Sequence, residues 1–343
     1  MSRKYGIGIV GLGNALRPHA LSLKDLSGTI EVRAIFSRAQ DAREKVAAEY
    51  DFPAANSLED MLDNDSIDAV LILTPPNARK ELVEQAARAG KHILMEKPVE
   101  RTTEAAENIV AICEKHSVSL GIIFQHRFRE GAVALRRKLD SGELGTLCAA
   151  WLTVPWWRPQ SYYEEPGRGT LAQDGGGVLI TQAIHAIDLM LSMTGQAAEA
   201  AAIARTTRVH QMETEDFVGA GLIFANGAPG GLIATTAAMP GFEEELVLIC
   251  EKATARFKGG VLSLDYAGGG TDQIGVPTGS GGGVDRMAFP HDWHRSQIAE
   301  FFDSIANDRD PQSSGRTALA THYLIDALIR SAGSGRRTPV KQI

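Results

Sequence analysis

A chain of 343 residues exceeds what one hydrophobic core usually organises, so two domains are the starting expectation. Its 44% hydrophobic and 22% charged residues fit a globular protein, and no run approaches the ~18 apolar residues of a bilayer span, which excludes a membrane partner. A formal net charge of −7 without a basic block argues against nucleic acid, and three scattered cysteines (Cys113, Cys148, Cys250) argue against a disulfide or zinc framework.

The opening Met1-Ser-Arg-Lys-Tyr has the basic residues of a signal peptide, but the apolar stretch after it is short, glycine-interrupted and lacks a small-residue cleavage site. Export is not expected, and the cytoplasm is the expected location. Residues 1–125 alternate short apolar runs with amphipathic stretches. Strands are predicted at 7–10, 32–36, 69–73, 93–95 and 120–124, and helices at 18–26, 41–49, 58–62, 78–89 and 103–115. Such β-α repetition with right-handed crossovers makes a doubly wound parallel sheet.

From 126 to 343 the texture changes to strand-like segments at 147–154, 201–207, 217–224, 231–238 and 246–250, with few helices between them. That succession predicts a mostly antiparallel sheet. Helices are predicted at 178–193, 291–307 and 317–331, and the glycine runs at 268–270 and 279–283 read as strand connections.

The segment Gly6-Ile-Gly-Ile-Val-Gly11-Leu-Gly13-Asn14-Ala15-Leu16 runs a strand into a glycine turn that opens a helix. Gly11 allows the tight bend, and Gly13 lets the backbone N–H groups of the turn, with Asn14 and Ala15, approach a pyrophosphate at a positive helix end. A glycine turn that merely packs helix on strand has the same look. At the end of the second strand Ser37 and Arg38 stand where an acid would bind the ribose of NAD. A hydroxyl and a guanidinium there favour the phosphate of NADP, although a helix-capping Ser and a solvated Arg would read alike. The third and fourth strands end in Thr74-Pro75-Pro76-Asn77 and Glu96-Lys97-Pro98, at the edge where open α/β sheets bind ligands.

These residues, together with Asp174-Gly-Gly-Gly-Val-Leu-Ile-Thr181-Gln-Ala-Ile-His185-Ala-Ile-Asp188 and the closing Pro311-x-x-Ser-Gly315-Arg316, resemble the Gfo/Idh/MocA oxidoreductases over essentially the whole chain. The resemblance implies an α/β protein: an N-terminal Rossmann domain, then an α/β domain whose large, open, mostly antiparallel sheet covers the substrate. It also implies a homodimer or homotetramer formed through that sheet. Lys97 and His185 are expected to face the nicotinamide from opposite domains, with Gln125 and Arg168 near the cofactor. Three positions depart from the family pattern: Thr181 stands where an Asp or Asn is usual, Arg79 where a His is common after Thr-Pro, and Leu16 at the third glycine.

Within the family, Trp156-Trp157-Arg158-Pro159 and Tyr162-Tyr163 are similar to a branch of dihydrodiol and sugar dehydrogenases. Trp157 and Tyr163 would stack on a ring and Arg158 would bind a carboxylate; a tryptophan-anchored seam is the plain alternative. His185, with a reference pKa of ~6.5, suits the principal acid or base, with Lys97 polarising the oxygen or relaying its proton. Thr181, one helical turn before His185, would touch substrate, and Asp188 would contact substrate or pair within its helix. The expectation is therefore an NAD(P)-dependent dehydrogenase or reductase of a sugar, polyol or sugar acid. A cis-dihydrodiol dehydrogenase and a non-oxidative dinucleotide sensor remain as alternatives. No metal is expected, because the polar start of the last long helices explains His291, Asp292 and His294 more simply.

Overall fold

A computed structural model describes residues 3–278 and 290–343 of the chain; the glycine run predicted as a strand connection at 279–283 lies outside them. The chain begins with β1 (Tyr5–Val10), α1 (Leu16–Asp25), β2 (Ile30–Phe36), α2 (Gln40–Tyr50), α3 (Leu58–Leu62), β3 (Ala69–Ile72), α4 (Arg79–Arg88), β4 (His92–Met95), α5 (Thr103–Lys115) and β5 (Leu120–Ile122). It continues through α6 (Glu130–Asp140), β6 (Leu147–Pro155), α7 (Gln160–Tyr163), α8 (Val178–Thr181), α9 (Ile184–Thr194), β7 (Ala197–Arg205), β8 (Phe217–Phe224), β9 (Pro229–Thr235) and β10 (Glu245–Cys250). Then follow β11 (Ala253–Lys258), β12 (Val261–Tyr266), β13 (Thr271–Ile274), α10 (Asp292–Ala306), α11 (Gly315–Ser334) and β14 (Thr338–Pro339).

The first five strands form a parallel sheet in the order β2-β1-β3-β4-β5. Apolar runs such as Ala69–Ile72, buried at every position, suit a sheet covered on both faces. The other nine strands form one sheet in the order β13-β12-β11-β10-β6-β9-β8-β7-β14. Its neighbours are antiparallel except β6 and β9, which run parallel.

Two compact units result: Met1–Ile123 with His291–Ala318, and Phe124–Pro290 with Leu319–Ile343. The expected division, 1–125 and 126–343, misses the return of the later segment to the first unit. Its cause is hydrophobic: Ile298, Phe301 and Phe302 of α10 enter the same buried cluster as Ile7, Ile9, Leu71 and Leu94 of the parallel sheet. Gln297 adds a buried amide that donates to Ile122 O and Ser313 Oγ, both at 2.7 Å.

Other elements also differ from expectation. The helix predicted over 178–193 is divided at Gln182–Ala183, where Ala183 N bonds Val178 O rather than the carbonyl four residues back. Helix α6 and strands β11 to β13 carry many polar residues and were not predicted. The run at 268–270 does connect two strands, closing β12 onto β13. No helix among the described residues is long and apolar enough to cross a membrane.

Candidate functional site

In the first unit the sheet order reverses beside β1, so β2 lies on one side of it and β3 on the other. Gly11 ends β1 with φ of +96°. A Cβ there would stand 2.9 Å from Leu73 C and Thr74 N, so β3 leaves space for glycine alone. Gly13 has no neighbour within 4 Å of a Cβ position, and Gly13 and Asn14 are exposed. Leu16, at the position of the third glycine, turns inward: it is buried in the core cluster beneath the sheet end and does not obstruct the turn. Ala15 caps α1 without a side-chain hydrogen bond, and no acid lies in the first turn. Leu16 N already donates to Gly13 O at 3.0 Å and Pro18 has no N–H, so an anion such as a pyrophosphate would be met by the backbone of the turn before α1, at the positive end of the helix, and the turn fits a dinucleotide on that account.

At the end of β2, Ser37 does not cap the next helix; Ala39 does, again without a side-chain bond. Arg38 is exposed, and Arg43, which sequence reasoning missed, donates to Ser37 O at 2.5 Å with its guanidinium 5.7 Å from the Phe36 ring centroid. Two cations thus flank Ser37. Thr74 Oγ1 at the end of β3 is buried with no hydrogen-bond partner among the described residues, while Pro75 and Asn77 are exposed.

Glu96 and Lys97 follow β4. Glu96 Oε1 lies 2.9 Å from Nε2 of His19, a fully buried residue of α1, and its Oε2 accepts from Lys97 N at 3.2 Å. The His19 ring meets that of His294 edge-on at 4.8 Å. Burial alone would raise the Glu96 pKa, but the His19 hydrogen bond and the charges of His19 and Lys97 outweigh it and bring the carboxyl to about 2. Burial lowers the His294 pKa to about 3, so this ring is neutral at pH 7. His19, Glu96 and His294 offer ligand atoms within 4.8 Å of one another, a donor set of the zinc type. His19 Nε2 and Glu96 Oε1 are hydrogen-bonded to each other, which ties α1 to the Glu96-Lys97 loop, while His19 Nδ1 is buried with no partner among the described residues. His291 pairs instead with Asp25 at 2.9 Å, and Asp292 with Arg295 at 2.6 Å, on the surface.

In the second unit His185 is the second residue of α9, 8% exposed. The His126 ring stacks on it at 5.0 Å, and the Phe124 ring meets it edge-on at 5.8 Å. His126 Nε2 is 2.7 Å from Arg129 Nη2. A guanidinium only donates, so that nitrogen accepts and the His126 ring is neutral. Gln125 lies in the same turn as His126, buried, with Oε1 lacking a partner among the described residues.

Several expected substrate contacts are otherwise engaged. Asp188 is 1% exposed and bound by both arms of Arg127, at 2.6 and 2.5 Å, so it forms a buried ion pair across 61 residues of sequence rather than offering a carboxylate to substrate. Thr181 Oγ1 donates to Gly177 O at 2.6 Å and lies against the Gln182 side-chain amide, and the helix break separates it from the His185 turn. Arg158 is 5% exposed, with its guanidinium 5.5 Å from the Trp156 ring and 6.0 Å from that of Tyr162. Tyr163 shares a 2.7 Å hydrogen bond with Thr236 Oγ1, and Arg168 lies 5.3 Å over Tyr162 beside Asp174 at 3.6 Å. Trp157 stays half-buried, its ring 5.9 Å from that of His210.

The glycine run before His185 also gains a reason. Glu215 Oε2 accepts from Gly177 N at 3.1 Å and Oε1 from Leu179 N at 3.3 Å, capping α8. A Cβ on Gly177 would sit 1.9 Å from Glu215 O.

Comparison with known proteins agrees in both units. A family model described as an oxidoreductase family with an NAD-binding Rossmann fold matches residues 5–124, and the GFO/IDH/MocA C-terminal domain matches 132–256. Inositol 2-dehydrogenase of Rhizobium meliloti (strain 1021) is 24% identical over 351 residues, covering 97% of this chain and 98% of the relative. The rhizopine catabolism protein MocA of Rhizobium meliloti is 28% identical over 197 residues, and the match spans 58% of its length. Among solved structures, the WlbA dehydrogenase of Bordetella pertussis in complex with NADH and UDP-GlcNAcA is 25% identical with a TM-score of 0.82, covering 99% of this chain and all of that one.

Proposed function

We propose, from the premise that this chain belongs to the Gfo/Idh/MocA oxidoreductases, that it moves a hydride between a nicotinamide dinucleotide and a hydroxyl-bearing carbon of a sugar or polyol. The observation that carries this reading is the β1/β3 switch point. There the Gly11 turn, the buried Thr74 hydroxyl and, at the end of the adjoining β4, Lys97 share one edge of the sheet. When bound, the nicotinamide supplies the hydride acceptor or donor. The chain itself binds the pyrophosphate through the backbone of Gly11 to Ala15, and moves the hydroxyl proton through His185, assisted by the amine of Lys97. Absorbance of the reduced nicotinamide with a panel of cyclic polyols, sugars, sugar acids and a cis-dihydrodiol tests it. Turnover of at least one sugar or polyol is expected. Tight dinucleotide binding with silence in both directions would instead favour the sensor reading.

The finer reading of the cofactor is NADP. Ser37, Arg38 and Arg43 place a hydroxyl and two cations at the end of β2, with no acid at the ribose position. Arg38→Ala is expected to weaken NADP(H) affinity by roughly tenfold, the scale of one charge-assisted hydrogen bond, and to leave NAD(H) unchanged. Equal losses for both dinucleotides would remove Arg38 from phosphate recognition.

The assembly we infer uses the nine-stranded sheet. Ile203, Gly219, Ile233 and Thr153 are successive cross-strand neighbours and so share one face, on which Ile203 is 63% and Ile233 47% exposed. Trp151 and Ile249 are also exposed on this sheet, at 38% and 37%. Apolar side chains of this size in one region mark a protein-protein surface, and a second copy of the chain is its expected occupant. Light scattering should give a dimer or larger species, and Ile233→Asp a smaller one; a monomeric parent protein would refute the inference. The unpaired cysteines fit a reducing compartment, and the cytoplasm is our proposed location.

A further inference from the structure

Arg79, the first residue of α4, is a buried cation that the reaction proposed above leaves unused. It is 2% exposed, and its hydrogen bonds go to backbone carbonyls. Nε donates to Thr74 O at 2.9 Å, Nη1 donates to Glu96 O and to Pro98 O, and Nη2 reaches Lys97 O at 3.4 Å. One planar fork thus joins the end of β3 to three consecutive carbonyls of the loop after β4, with Lys97 in the middle.

Burying a guanidinium is costly, and the cost shows in its pKa. Desolvation lowers it to about 10, while the charges of Glu96 and Glu100 pull it back up. A single rigid group with five donors meets so many carbonyls as no Lys or His does, because their donors are fewer and differently placed. Simple filling of the space would be met by an apolar side chain without that cost. The Glu96 carboxylate is meanwhile anchored through His19, so the loop is gripped on its backbone by Arg79 and on its side chain from α1.

We propose that Arg79 is the positioning residue of Lys97: it fixes the backbone from which the amine extends, without itself touching substrate or cofactor. This rests on the reading of Lys97 as a proton-handling group. Small displacements of such a group are costly, on the order of a hundredfold in rate for about 1 Å.

The test compares the full-length protein with Arg79→Met, Arg79→Ala, Arg79→Lys and Lys97→Met. Turnover is followed with the polyol found in the absorbance panel, and dinucleotide affinity by fluorescence quenching. Reductive ¹³C-methylation adds a readout that needs no substrate, the dimethyl-Lys97 resonance being the one lost in Lys97→Met. Arg79→Met should lower kcat about thirtyfold or more, keep KM and dinucleotide Kd within about threefold, and broaden or move the Lys97 resonance. Free guanidinium at roughly tens of millimolar should restore part of kcat in Arg79→Ala, which a general loss of stability would not show. Should Arg79→Met fail to fold, Arg79→Lys decides, with an expected loss of about tenfold in kcat at unchanged Kd because the charge stays and the fork goes. A wild-type kcat and an unmoved Lys97 resonance in a folded Arg79 variant would overturn the proposal while leaving Lys97's role intact. Full turnover by Lys97→Met would instead overturn that role, and the positioning proposal with it.

Discussion

Replacing Lys97 by Met is expected to lower turnover by about two or more orders of magnitude, the scale of lost acid–base catalysis, with dinucleotide affinity held within about threefold. Met keeps the length and the apolar stem of Lys and removes only the amine. The groups that place this segment act on other atoms: Arg79 binds the carbonyls of Glu96, Lys97 and Pro98, and Glu96 Oε2 accepts from the Lys97 backbone N–H at 3.2 Å. The variant should therefore hold the loop while lacking the group that handles the proton. Saturating kinetics measure kcat, and a binding titration without substrate measures Kd. Near-wild-type kcat would remove Lys97 from the chemistry, and a matching loss of binding would make it a cofactor ligand instead.

Glu244→Ala should destabilise the second unit by about 3–5 kcal/mol, the cost of leaving one member of a buried ion pair without its partner. Glu244 is 3% and Arg129 1% exposed, with Oε1 and Nη1 2.6 Å apart. The other carboxylate oxygen accepts from the Trp156 indole at 3.3 Å. Truncation takes the carboxylate away from a guanidinium that lies beside His126 and 6.0 Å from the centroid of the Phe257 ring, where water has little access. Calorimetry is expected to show a lower melting temperature, on the order of 10 °C for a unit of this size. The double replacement Arg129→Met with Glu244→Leu should recover much of that loss, since apolar groups of similar volume leave no charge uncompensated. Unchanged melting in Glu244→Ala would mean that the pair is not buried as described.

The two effects lie on different links between sequence and function, and they differ in how far each can be read from the chain. Glu96-Lys97-Pro98 announces itself, because a strand end, an acid, an amine and a proline are contiguous. Arg129 and Glu244 are 115 residues apart, and nothing local marks either as buried. Asp188 illustrates the middle case. Its place three residues after His185 suggests a functional acid, whereas Arg127, 61 residues away, takes both of its oxygens. Arg158 and Tyr163 behave likewise: their types suit a substrate surface, and only the structure shows the contacts they make with Trp156, Tyr162 and Thr236.

What sequence alone determined is the alternating β-α frame of the first unit, the glycine turn, the segments around Lys97 and His185, and the antiparallel character of the second sheet. These are written in periodicities of two and 3.6 residues and in turn chemistry, which act between near neighbours in the chain. Only tertiary structure decided that α10 completes the first core, that Arg79 turns inward onto three carbonyls, that Glu215 caps α8, and that Asp188 is paired rather than free. The reason is physical. A buried polar group is assigned by which distant donor or acceptor satisfies it, and that choice is made by packing, where an unmet charge or hydrogen bond costs kilocalories and a periodic pattern carries no record of the partner.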